Sequence, residues 1–267
     1  MSTYVMSDIH GCYDEYSRML DKIHFSEKDR LYLAGDYIDR GKDSLAMLRW
    51  LEKRPSNVFP IKGNHDVEFA ENVSLMKRAD KANNLYTDYN SNADTKTLFD
   101  TVRYILKEKG GMAFKYYDYY GTINKLLTED KVTMNDLLKW RNMILDYPYF
   151  YKFQLSGRTV IIVHAGYMES PEAAGYGLEN IEEFYLYARE ESIKIGGVRH
   201  GMVIAGHTPT IAKKMFSFNN GEVFRYYDRE KDCIFYDIDC GCVYCEVEPS
   251  ATFACIRLED EEIFYYT

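Results

Sequence analysis

Asp8 and His10 stand two apart in Ser7-Asp8-Ile9-His10-Gly11, and the period-2 geometry of an extended chain aims both side chains at one point. A carboxylate beside an imidazole suits a divalent metal, and that mixed shell favours manganese, iron or zinc over calcium. Taken alone the pair is equally a polar loop that leads into a helix. A second cluster, Gly35-Asp36-Tyr37-Ile38-Asp39-Arg40-Gly41, sets two acids and a guanidinium in one turn between glycines that permit tight backbone geometry. Lys62-Gly63-Asn64-His65-Asp66 places an amide oxygen beside an imidazole. His164-Ala165-Gly166 follows the apolar run Val160 to Val163, and Gly206-His207-Thr208-Pro209 completes the set. A single histidine after an apolar strand is more often a satisfied core residue than a ligand. Five such clusters in one chain reverse that balance.

The elements that position them are legible in outline. Tyr4-Val5-Met6 reads as a short buried strand, and after the first cluster Tyr13, Tyr16, Leu20 and Ile23 recur at helical spacing. Strand, polar loop and helix repeat from Arg30 to Leu51, and a third strand, Val58 to Ile61, leads into Gly63-Asn64-His65. Alternating strand and helix predicts an α/β sheet, whose ligands gather at the carboxyl ends of the strands, where these clusters fall. From about residue 67 to 147 the pattern is polar and helix-favouring, with Gly110-Gly111 and Gly121 as breaks, and predicts a helical insertion or cap. Strand character returns from Tyr149 to Val163, split by Ser156-Gly157. Hairpin-like pairs around Asn220-Gly221 and near the C-terminus predict a second sheet. No linker marks a boundary, so residues 1–267 read as one domain.

Bulk properties narrow the partners. The formal net charge of -9 argues against a nucleic-acid polymer, which needs a basic stripe. A compact anion can still bind where metals supply positive charge. The N-terminus lacks a basic and apolar leader, and no run approaches the ~18 apolar residues of a membrane span, so the expected location is cytoplasmic with no membrane partner. Six cysteines in such a chain read as reduced thiols. Cys240, Cys242 and Cys245 lack a clear partner pair for a zinc knuckle and read as core thiols.

In order, SDIHG, GDYIDRG, KGNHD, VHAG and GHTP resemble the calcineurin-like metallophosphoesterases, and within them the bacterial serine/threonine phosphoprotein phosphatases. The resemblance implies a β-sandwich of two mixed sheets flanked by helices, with the helical insertion lying outside it. It implies that Asp8 and His10 hold one divalent ion, that Asp36 bridges, and that Asn64, His164 and His207 hold a second. Manganese is the expected metal, with iron or zinc as alternatives. Arg40 would clamp a phosphate oxygen, and His65, oriented by Asp39, would protonate the leaving group. Arg189 in Tyr187-Ala188-Arg189-Glu190 is the candidate second phosphate-binding arginine, with Arg199 as the fallback. Two ions ~3.5–4 Å apart would present a bridging hydroxide in line with phosphorus.

Departures from the pattern keep the substrate open. Asp66 stands where the family usually has Glu. Asp66, with Asp237-Ile238-Asp239-Cys240-Gly241-Cys242 and the closing Cys255 to Asp260, is similar to the diadenosine tetraphosphate hydrolases of the same superfamily. The intact Asp39-Arg40-Gly41 looks like the protein phosphatases. The sequence reading is therefore a phosphomonoesterase acting on phosphorylated protein or peptide, with dinucleoside tetraphosphate hydrolysis as the alternative. A phospho-binding scaffold without turnover would have damaged ligands, and here all the expected ones are present. His24 and His200 match no motif and read as structural or surface residues. The Tyr-rich stretch Tyr116 to Tyr120 reads as a packing surface or the wall of a substrate groove, and oligomeric state is not encoded in any motif.

Overall fold

Each short apolar run in the first quarter of the chain becomes a strand that stops where its polar cluster begins. In chain order these are β1 (Thr3–Met6), α1 (Tyr13–Lys22), β2 (Arg30–Leu33), α2 (Ser44–Glu52) and β3 (Val58–Pro60). The structure, a computed structural model, describes residues 1–108, 118–169, 181–212 and 220–266. The three strands are parallel, with Tyr4 opposite Leu31 and Leu31 opposite Val58. Parallel neighbours need a crossover, and α1 and α2 supply it. Asp43 starts α2 by accepting the Ala46 N–H at 2.9 Å.

Four helices follow among the described residues: α3 (Asn64–Asn83), α4 (Asn92–Glu108), α5 (Thr122–Thr128) and α6 (Met134–Leu145). The second half carries β4 (Phe150–Leu155), β5 (Arg158–Val163), α7 (Ile181–Tyr187), α8 (Glu190–Lys194), β6 (Gly201–Ala205), β7 (Phe224–Asp228), β8 (Cys233–Asp237), β9 (Phe253–Arg257) and β10 (Glu262–Tyr266). They form two mixed five-stranded sheets, ordered β10-β9-β1-β2-β3 and β4-β5-β6-β8-β7. Ser156 and Gly157, both at positive φ, make the two-residue turn that joins β4 to β5 with the right twist.

The pair Asn220-Gly221 does not close a hairpin. The β7–β8 hairpin turns instead at residues 229–232. Gly221 is required for a different reason, because φ is +77° and a Cβ there would overlap the Ser250 carbonyl oxygen.

Alternation along the strands divides the core. Val5, Tyr32, Ala34 and Ile61 meet Ile162, Ile204, Ile234 and Tyr236 between the sheets. Tyr4, Met6, Leu31 and Leu33 face the helices, where α3 contributes Phe69, Val73 and Met76, and α6 contributes Leu137 and Trp140. Ile161, Val163 and Val203 form the outer layer of the second sheet. The strands β1, β6 and β8 are buried along their whole length, and the polar clusters are left at the strand ends. No described helix is long and apolar enough to cross a membrane.

Candidate metal centre

The parallel strands β1, β2, β3, β5 and β6 deliver their clusters to one edge of the sandwich. Six of the residues there hold left-handed backbone: Asp8, His10, Asp36, Asp39, Arg40 and His207, with φ between +47° and +72°. Such geometry costs roughly 1–3 kcal/mol per residue and persists only where the surroundings over-determine it. Close packing does so here. A Cβ at Gly206 would overlap Ser7 Oγ and Asp8 Oδ2, and one at Gly63 would overlap the Asp36 backbone nitrogen and Oδ1. Only glycine lets these loops come together.

Asp36 sits at the centre, buried. His10 Nε2 lies 3.5 Å from its Oδ2, His65 Nε2 lies 3.9 Å from the same oxygen, and His164 Nε2 lies 3.5 Å from Oδ1. Asp8 turns Oδ1 toward His10 at 3.9 Å and accepts the His207 N–H on Oδ2 at 3.0 Å. Two groups therefore have donor atoms mutually within 4.8 Å, namely His10, Asp36 and His65, and Asp36, His164 and His207. The first trio includes His65, a residue to which the motif reading gave proton transfer rather than metal.

The imidazoles are set up as neutral ligands. His10 Nδ1 donates to the Ile38 carbonyl at 2.9 Å and His164 Nδ1 to the Ala34 carbonyl at 2.8 Å, so each Nε2 faces the centre as a lone pair. His164 Nε2 lies 2.9 Å from Asn64 Oδ1, so two atoms able to ligate a metal stand side by side. His207 Nε2 is buried with no hydrogen-bond partner. Burial, and then the charge of Arg40, push His10 well below its ordinary range, and burial beside His164 does the same to His207. Burial pushes Asp36 well up. Concentrated acid, stranded lone pairs and unprotonated imidazoles make a donor set that fits divalent metal of the manganese, iron or zinc type.

Beside this centre, His65 Nδ1 donates to Asp39 Oδ2 at 2.8 Å. Burial would lower His65, but Asp36 and the Asp39 hydrogen bond outweigh it and raise its pKa. The Arg40 guanidinium spans the opening, donating to His10 Nε2 at 3.0 Å and His65 Nε2 at 2.9 Å. Arg189 reaches the rim, where its Nη1 donates to Thr208 Oγ1 at 3.1 Å. Arg199 precedes β6 whereas His207 follows it, so the fallback arginine is at the other end of that strand. His24 and His200 are exposed, the latter paired with Asp232. Cys240 and Cys242 are buried, and neither candidate metal group contains a cysteine.

Two contributions escaped the motif reading, and a third was read only as part of a Tyr-rich packing surface or groove wall. Asp66, noted there only as a departure, is fully buried and organises the second loop: Oδ2 accepts the N–H of Asp36 at 2.8 Å and of Gly63 at 3.0 Å, and Oδ1 that of Tyr37 at 3.0 Å. Its place three residues after Gly63, in the first turn of α3, is a capping signal that was available in the sequence. The other two come from the helical segment. Thr122 donates its hydroxyl to Asp39 Oδ1. Tyr120 packs its ring on His65, centroids 4.8 Å apart, beneath the Arg40 guanidinium. Gly110, Gly111, Tyr116 and Tyr117 lie outside the described residues.

The sequence profile of the calcineurin-like phosphoesterases matches residues 1–210. The chain belongs to that family. A symmetrical bis(5'-nucleosyl)-tetraphosphatase of Wigglesworthia glossinidia brevipalpis is 39% identical over 104 residues, 39% of this chain and 38% of the relative. One from Buchnera aphidicola subsp. Baizongia pistaciae is 41% identical over 83 residues, 31% of this chain and 30% of the relative. The matched stretch is thus well under half of either protein. A crystal structure of a candidate diadenosine tetraphosphatase superposes over 98% of this chain and 91% of its own, with a TM-score of 0.52 and 16% identity, a likeness of fold. This calcineurin-like phosphoesterase is an enzyme of phosphate-ester hydrolysis with the donor set of a metal centre at its strand ends.

Proposed function

We propose that the chain is a cytoplasmic dinucleoside tetraphosphate hydrolase that splits its substrate symmetrically into two nucleoside diphosphates. The observation that carries the choice of substrate is the likeness over 104 residues to symmetrical bis(5'-nucleosyl)-tetraphosphatases. The shape of the surface supports it. Cavities of about 280 and about 350 Å³ meet at Arg40 to Asp43, the first walled by Tyr120 and Lys125, the second by Tyr13 and Val243. Both recesses begin at Arg40, the proposed phosphate clamp, so each offers room for a nucleoside arm that leads away from a phosphate held there.

In this reading Asp8, His10 and Asp36 hold one ion and Asp36, Asn64, His164 and His207 the other, with manganese the first metal to test. Two such ions would supply Lewis-acid charge to the phosphate and acidify a water for attack. The chain's own residues do the rest. Arg40 exchanges the imidazole nitrogens it now contacts for two phosphate oxygens, a planar fork that matches them. Arg189 steadies a further oxygen from the rim. Once Arg40 has turned to the phosphate, His65, its Nδ1–H committed to Asp39 and its pKa raised by Asp36 and Asp39, takes up a proton from solvent on Nε2 as imidazolium and passes it to the departing oxygen, returning to the neutral ring.

The buried Asp39–His65 pair also favours a second reading. Proton delivery matters most for an alkoxide, so a phosphoserine or phosphothreonine monoester makes fuller use of it than a diphosphate leaving group, which departs as a stable anion. The deciding experiment offers manganese-loaded protein diadenosine tetraphosphate and a phosphoserine/phosphothreonine peptide side by side, with Asp36→Asn as control. Faster turnover of the dinucleotide is expected. Preference for the peptide would replace the substrate, and undiminished activity in the control would overturn the assignment of the metal ligands.

A further inference from the structure

Asp39 has different partners on its two oxygens. Oδ2 accepts from His65, and Oδ1 accepts the hydroxyl of Thr122, 83 residues further along the chain. Both carboxylate and hydroxyl are buried, with Asp39 8% and Thr122 7% exposed. Thr122 is itself fixed. Gly121, at φ +71°, turns the chain into α5. Asp118 accepts the N–H groups of Ile123 at 2.8 Å and Asn124 at 2.9 Å, which closes the first turn of that helix. Tyr120, between them, lies against His65 and Arg40. One turn, residues 118–122, thus touches Asp39, His65 and Arg40.

A carboxylate held on one oxygen rotates broadly about its terminal torsion, and the imidazole it orients swings with it. An anchor on the second oxygen removes that freedom. We infer that Thr122 is a positioning residue for phosphoester hydrolysis: its hydroxyl locks the Asp39 carboxylate so that His65 keeps Nε2 aimed at the leaving oxygen. The helical segment is then part of the reacting site as well as its cover. The inference rests on the His65 role proposed above and holds for either substrate reading.

The test compares phenyl phosphate, whose leaving oxygen benefits from a proton, with p-nitrophenyl phosphate, whose leaving group departs as a stable anion. Thr122→Val keeps the shape and removes the hydroxyl. Its kcat on phenyl phosphate is expected to fall about tenfold, the lower end of what losing an orienting partner costs. KM should be unchanged, and kcat on p-nitrophenyl phosphate should stay within about twofold, because that reaction draws little on acid help. Thr122→Ser should restore the ratio of the two rates. The ratio is independent of the folded fraction, so Thr122→Ala serves should the valine variant fold poorly. Equal losses on both esters, or none on either, would overturn the inference. His65→Asn separates the two levels: without a leaving-group bias in that variant the His65 role fails, whereas a bias there and none at Thr122 removes the Thr122 role alone.

Discussion

Asp66 is the residue whose removal the structure makes most calculable. Its carboxylate receives three buried backbone N–H groups, from Asp36, Gly63 and Tyr37, and no water can replace it. In Asp66→Asn the amide oxygen can serve Asp36 and Gly63, but the NH₂ group turns toward the Tyr37 N–H. One buried donor without an acceptor costs about 1–3 kcal/mol. Part of that is offset, because burial has pushed the Asp66 carboxyl up to about 6 and the neutral amide escapes that burden. The net expectation is a loss of about 1–2 kcal/mol, which lowers the melting midpoint by roughly 2–8 °C for a chain of this size. Asp66→Ala strands all three donors, about 3–9 kcal/mol, which approaches the whole stability of an ordinary domain. The second consequence is chemical. With the Asp36 N–H released, the central carboxylate loses its orientation, and manganese affinity should weaken by about 10- to 100-fold. Circular-dichroism melts and calorimetric manganese titrations read the two effects separately. An Asp66→Ala variant that melts and binds metal like the parent protein would refute the reasoning.

Further outcomes follow from the same geometry. Gly206→Ala places a methyl group on Ser7 Oγ and Asp8 Oδ2, and hydrolysis of p-nitrophenyl phosphate should be lost while far-ultraviolet circular dichroism is retained. Chelation should abolish turnover and lower the melting midpoint, and manganese at about 100 times its dissociation constant should return about 2.7 kcal/mol of stability together with the activity. Arg189→Ala should raise KM by about tenfold through loss of a charged hydrogen bond to phosphate, read by steady-state kinetics. Arg199→Ala, at the far end of β6, should leave KM unchanged.

The sequence determined most of the centre. Asp8, His10, Asp36, Asn64, His164 and His207, the ligands that the motif resemblance implies, were legible as polar residues at strand ends, and the structure gathers them at one edge of the sandwich. The parallel strands of the first sheet were legible likewise: β1, β2 and β3 are short apolar runs ended by Gly or Asp. The β4–β5 turn announced itself through Ser156-Gly157. Asn220-Gly221 misled, since a Gly that favours a hairpin turn equally serves a close approach, here to Ser250, and local composition does not distinguish the two.

The tertiary structure alone decided what reaches the centre from far along the chain. Thr122 is an ordinary residue in a helical stretch and Tyr120 belongs to a Tyr-rich run that reads as a packing surface or groove wall, and nothing local to either names Asp39 or His65 as its partner. Motif resemblance ranked Arg189 ahead of Arg199, and the direction of β6 is what puts Arg199 at the far end of that strand while Arg189 reaches Thr208. The proposed metal ligands are specified by chemistry that each residue carries with it, whereas the groups that touch Asp39 and His65 are specified by distance, which exists only once the helices have packed against the sheet.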